Sequence, residues 1–199
     1  MGGRAGGGAR GGGGAGSGIE QRFASFLSSI PDATVRKEML QTLKDYEKEF
    51  GIRQDNIELK NLGKDTLGET LQSSRGSTKI YLDKKTFTQS ASAIKSQEIE
   101  IEKNGWIVQT NKPLRATLAH ELGHATWSKY HKTPQAQAAR KEVLSAYRKF
   151  MKGGGAPGWG GYSKSSYGEW FAEGVAKHMY GTKDSHTKAI AGIIKKYGL

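Results

Sequence analysis

Two histidines four positions apart, His120 and His124, flank a carboxylate in the run His120-Glu121-Leu122-Gly123-His124. On an α-helix, residues four apart share a face, so both imidazoles aim a ring nitrogen at one point. Neutral imidazole is a standard zinc ligand, and a metal ion needs convergence of that kind. Glu121 points too far sideways to be a ligand, yet it reaches a water held on the metal. The H-E-x-x-H spacing thus offers two ligands and a proton-handling acid. The competing reading is an amphipathic helix with both histidines at its polar boundary, a poor use of a middling helix former.

Hydrolytic zinc chemistry wants three protein ligands and one open position. The chain has no cysteine, so only His and carboxylate are available to bind a metal. The histidines are His120, His124, His131, His178 and His186. A third histidine on an extended metal helix would need glycine at 127 and histidine at 130, where Trp127 and Tyr130 stand, and His131 is out of register. A carboxylate from Glu169-Trp170-Phe171-Ala172-Glu173 serves better. Glu169 and Glu173 share a helical face, so one can bind the metal while the other orients a histidine. The same residues have plain structural uses: Ser166-x-x-Glu169 is a capping box, and Glu173 can pair with Lys177. No other segment offers a third ligand so economically, and Glu169 is the expected one.

His120-Glu121-Leu122-Gly123-His124-Ala125, then Tyr162, then Glu169-Trp170-Phe171-Ala172-Glu173 together resemble the catalytic domain of anthrax lethal factor and its relatives. Similar domains occur in phage head-associated and toxin-like proteins. The resemblance covers roughly residues 110–180; the preceding segment matches only in the order helices, strands, metal helix. It implies a zincin-like α+β fold and one Zn2+ held by His120, His124 and Glu169. It further implies Glu121 as the base and Glu173 as the acid that orients a ligand. Tyr162 takes the place of the tyrosine that stabilises the oxyanion, with Tyr167 as the alternative. The implied activity is zinc-dependent endopeptidase hydrolysis of a protein or peptide substrate. The alternative is a phage or virion assembly protein with a residual zinc site and a basic surface for nucleic acid. The Gly-rich stretch around Trp159 is expected to let Tyr162 swing in when substrate binds.

Elements must hold these side chains in place. Residues 1–18 are Gly and Ala with Arg4, Arg10 and Ser17, a tract expected to be a disordered tail or linker. Residues 19–199 form the expected domain: N-terminal helices at 19–51, strands at 52–111 and metal-binding helices at 112–199. Within it, apolar spacing predicts helices over 19–30 and 33–50, the second capped by Asp32 and stopped by Gly51. Candidate strands are 56–62 and 77–82, with 84–95 a loop or short helix. Ile99 and Ile101 alternate with glutamates, Asn104-Gly105 follows, and Trp106 to Val108 come next, which predicts a hairpin over 98–110. Helices over 113–130, 134–151, 166–180 and 184–197 complete a small mixed or antiparallel sheet packed on helices.

The net charge of +12 favours anionic partners, whether an acidic substrate or nucleic acid, although no nucleic-acid-binding signature accompanies it. No apolar run approaches a membrane span or a signal-peptide core. Virion, host cytoplasm and delivered effector are all compatible destinations, and the oligomeric state is not written in the sequence.

Overall fold

The computed structural model describes residues 16–73, 77–129 and 133–198. The expectation for the Gly-rich tail falls almost wholly outside these residues. The architecture is α+β and mostly helical, with one small mixed sheet. Two short helices, α1 (Gly16–Arg22) and α2 (Ala24–Ser28), precede α3 (Ala33–Phe50). The Asp32 carboxylate accepts the N–H groups of Thr34 and Val35, and Gly51, at φ +68°, ends the helix in the left-handed region. The buried face of α3 carries Val35, Met39, Leu43, Tyr46 and Phe50, the stripe its sequence spacing requires.

The sheet has the order β1-β3-β2. β1 (Ile57–Lys60) runs parallel to β3 (Thr78–Asp83), with Ile57 opposite Ile80. β2 (Gly68–Gln72) runs antiparallel to β3, with Thr70 opposite Ile80, and forms an edge of the sheet. Then come α4 (Lys84–Phe87) and α5 (Ala91–Lys103). The expected hairpin over 98–110 is therefore wrong, and the strand block at 52–111 ends at Asp83. Ile94 and Glu98, one helical turn apart, are both buried, and Ser90 caps the helix on Ala93. Asn104-Gly105 ends α5, Gly105 taking φ +71°, so the dipeptide acts as a helix stop.

The helix of the H-E-x-x-H run, α6 (Pro113–Lys129), begins at proline as expected. It is followed by α7 (Pro134–Lys152), capped by Thr133, then a 3₁₀ turn at Gly161–Lys164. α8 (Tyr167–Tyr180) and α9 (Ser185–Tyr197) close the chain, with Ser166 and Asp184 as N-caps. α8 runs through the core, with Trp170 and Phe171 wholly buried. α6 lies between α8 and β2 and is also braced by α3. Tyr46 donates to the Leu122 carbonyl at 3.3 Å and bonds the Thr126 hydroxyl, while Arg115 pairs with Glu38 and, at 2.8 Å, with Asp45. No helix among the described residues is long and apolar enough to cross a membrane.

Candidate metal centre

α6 and α8 approach so closely because Gly123 has no side chain. A Cβ there would lie 2.7 Å from the Ala172 Cα. The close approach sets His120 and His124, on either side of Gly123, against the first turn of α8. His120 Nε2 and His124 Nε2 are 3.0 Å apart, and Glu169 Oε2 lies 3.3 Å from the first and 3.2 Å from the second. A tetrahedral ion bound at ~2.0–2.1 Å separates its donors by about 3.3 Å. The three atoms therefore form a triangle of the right size, on residues that are all partly buried, and this group is able to hold a metal ion. The donor set, two imidazoles and a carboxylate with no thiolate, suits zinc and leaves a fourth position open.

Only the serine half of the expected capping box forms, because the Glu169 side chain is used elsewhere. The Ser166 hydroxyl accepts the Glu169 N–H at 3.1 Å, while the Glu169 carboxylate is turned to the histidines. Glu173, which is 1 % exposed, does not pair with Lys177. Its Oε1 lies 2.8 Å from His120 Nδ1, and its Oε2 accepts the Val108 N–H at 2.5 Å. Lys177 instead donates to the carbonyls of Gly158 and Pro157 at 3.3 and 3.4 Å. A carboxylate on Nδ1 fixes the ring and leaves Nε2 as the ligand atom. Burial lowers the His120 pKa, but Glu169 and Glu173 outweigh it and hold it well above its ordinary value. Burial raises the Glu169 carboxyl, and the two imidazoles more than reverse this, bringing it down to about 2. Two carboxylates around one imidazole favour positive charge at this point, whether a proton on the ring or a bound cation.

Glu121 is buried beside β2, where Thr70 Oγ1 donates to its Oε2 at 2.6 Å. Gly68 makes room for it, since a Cβ at that position would come within 2.6 Å of Glu121 Oε1. Tyr162 is 45 % exposed, with its ring centroid 6.4 Å from that of His120. Tyr167 is elsewhere. It packs on Trp127 and Tyr147, its hydroxyl accepts from Arg140 at 3.0 Å, and it does not line the cleft, which removes it as the oxyanion tyrosine. The Gly-rich loop is also better anchored than expected. Trp159 stacks on Trp170 at 6.0 Å and donates to Asp184 at 2.7 Å, and the Tyr162 N–H donates to the Trp106 carbonyl at 3.0 Å.

His120, Glu121, His124, Tyr162, Glu169 and Glu173 all line one cleft of about 810 Å³. Comparison with family models, curated proteins and solved structures returns no match for this chain. Function must then be read from the geometry itself.

Two contributors leave no mark in the sequence: Thr70 and Val108. Val108 takes part through its backbone and Thr70 through tertiary packing, so neither gives a local signal. Glu98, expected on a strand, lies buried on α5 bonded to the Thr117 hydroxyl, and burial pushes its carboxyl up to about 7.

Proposed function

We propose that this chain is a zinc-dependent endopeptidase of zincin-like build, cutting peptide bonds in the cleft between β2 and the α6–α8 pair. The observation that carries the reading is the donor triangle of His120, His124 and Glu169, with Glu173 on the far nitrogen of His120. When bound there, zinc supplies Lewis acidity, polarising a peptide carbonyl and making water acidic enough to deprotonate near neutrality. Glu121 takes that proton as water attacks and hands it to the departing amine. Thr70 keeps the Glu121 carboxylate on the cleft side of α6. The Tyr162 hydroxyl donates to the oxygen on which negative charge grows. An extended substrate pairs with the edge of β2, whose Gly68, Glu69 and Thr70 line the cleft; backbone bonds of this kind give affinity without sequence preference.

The charge of the cleft alters the expected substrate. Beyond Glu121, Glu169 and Glu173, the charged residues lining it are Asp65, Glu69 and Glu100, and among the described residues no lysine or arginine lines it. Glu69 is partly offset by Lys60 at 3.8 Å. An acidic groove on a chain of net charge +12 favours basic peptide segments, the reverse of the preference inferred from net charge alone.

Glu121→Gln decides the reading. The variant keeps one zinc per chain by metal analysis and loses cleavage of a peptide library, and Tyr162→Phe lowers turnover without releasing zinc. Wild type and Glu121→Gln equally inert would sink the enzyme and favour an assembly protein with a residual metal site.

A further inference from the structure

Among the described residues four large hydrophobic side chains are exposed, and two of them, Trp106 at 61 % and Tyr162 at 45 %, line the cleft. Tyr162 has a role in the proposed hydrolysis; Trp106 has none. Single exposed apolar side chains are ordinary on a protein surface. An indole left mostly in water beside a candidate catalytic centre differs, because the ring forgoes a large burial and stands where a ligand must pass.

The backbone beneath it is fixed at several points. Trp106 N–H donates to the Ile101 carbonyl at 3.2 Å, and its own carbonyl accepts the Tyr162 N–H at 3.0 Å. One step earlier, Gly161 N–H donates to the Gly105 carbonyl at 2.7 Å. Gly160 permits this pairing, since a Cβ there would lie 2.3 Å from the Trp106 carbonyl oxygen. Two residues further on, Val108 is held by Glu173, the acid that also holds His120. Two residues of chain span at most about 7 Å, so Trp106 stands close to the candidate centre on a rigid wall. Ile101 and Ile107 line the same cleft, adding apolar surface around the indole.

We propose that Trp106, with Ile101 and Ile107, forms an apolar subsite that receives a bulky apolar side chain of the peptide next to the scissile bond. This rests on the endopeptidase reading above and adds to it a determinant of where the chain is cut. A pre-set wall needs little ordering on binding, and a rigid aromatic ring is an efficient anchor for an incoming side chain. The acidic residues of the cleft then act on charges further along the substrate.

The test uses zinc-loaded full-length wild type, Trp106→Ala and Trp106→Phe on peptides varied one position at a time about the cut. Because the indole is exposed, truncation leaves the fold intact, as circular dichroism checks. At one position beside the cut, wild type prefers Leu or Phe over Ala. In Trp106→Ala, kcat/KM for the bulky peptide falls roughly 10- to 100-fold while that for the Ala peptide stays within about twofold. Trp106→Phe keeps most of the preference. An unchanged preference in Trp106→Ala, or an equal loss on all peptides, overturns the subsite and leaves the endopeptidase standing. If wild type cuts nothing, the endopeptidase reading has failed, and the subsite is judged by binding. Trp127 and Trp170 are buried and Trp159 is partly buried, so the Trp106 contribution is read as the difference in acrylamide quenching between wild type and Trp106→Phe. Peptides bearing Leu or Phe shield it and Ala-only peptides do not; no shielding by either overturns the proposal.

Discussion

A methyl group added at Gly123 would have to displace backbone, and the consequence can be worked out. Its Cβ would lie 2.7 Å from the Ala172 Cα and 3.1 Å from the Ala172 carbonyl oxygen. Comfortable carbon contacts begin at about 3.5 Å, so α6 and α8 must part by roughly 1 Å. Overpacking costs about 1–3 kcal/mol, and the upper figure applies because the obstructing atom is main chain. Alanine returns about 1 kcal/mol through its better helix propensity. The net loss is about 2 kcal/mol, or a fall in Tm of roughly 4–8 °C for a chain of this size. The effect on metal is larger, since donor positions tolerate only about 0.2 Å, and zinc affinity should drop at least about tenfold. Gly192→Ala in α9 is the control, because a Cβ there meets nothing within 4 Å and gains the propensity term alone. Thermal unfolding without metal and calorimetric zinc titration read both effects. If Gly123→Ala is as stable as Gly192→Ala and binds zinc like wild type, the helix contact does not set the donor triangle.

Three more outcomes follow from particular contacts. Glu173→Gln offers an acceptor to only one of the two N–H groups now facing the carboxylate, so zinc affinity should fall about 10- to 100-fold and stability by about 1–3 kcal/mol; titration and unfolding measure the two separately. With zinc at a hundred times its Kd, chelation should remove about 2.7 kcal/mol and lower Tm by roughly 5–11 °C, and an unmoved Tm would argue against a metal centre. His178 is buried against Glu49 of α3, near Lys195 of α9 and Lys183, and its Nδ1 has no hydrogen-bond partner. Burial depresses its pKa, so the folded chain holds it neutral. Its contribution to stability is complete above the unfolded value of 6.5 and is lost as pH falls through that value towards the folded one. His178→Gln should flatten the stability curve between pH 7 and 5 relative to wild type, as denaturant titrations at several pH values would show.

Four helix starts set by a single side chain were legible, while the caps Asp83 and Ser90 of α4 and α5 were not. Asp32, Thr133, Ser166 and Asp184 each accept a backbone N–H within the first turn of the helix that follows, and such caps are local facts. The donor triangle was legible for a similar reason, since two pairs of residues at i and i+4 announce a shared face. α5 was misread because its apolar residues, Ile94, Ile99 and Ile101, satisfy both periods within so short a run. A buried Glu98 then completes the helical face, which residue type alone would never suggest. β2 was missed altogether. It is a half-exposed edge strand with little alternation, and it exists because β3 offers it hydrogen bonds. Thr70 was hidden with it, so the neighbour that steadies Glu121 could not have been named before the sheet was known.

Glu173 is a single carboxylate with two obligations, one to the imidazole of His120 and one to the main chain at Val108. Ligand and groove wall are thereby pinned to the same nail. On the endopeptidase reading, descendants of this sequence cannot readily reshape the wall by shifting its backbone without also disturbing the imidazole proposed to hold the ion. Under the same reading, diversification of the proposed cutting preference should run through exchange of the side chains at positions 101, 106 and 107, over a scaffold that stays still.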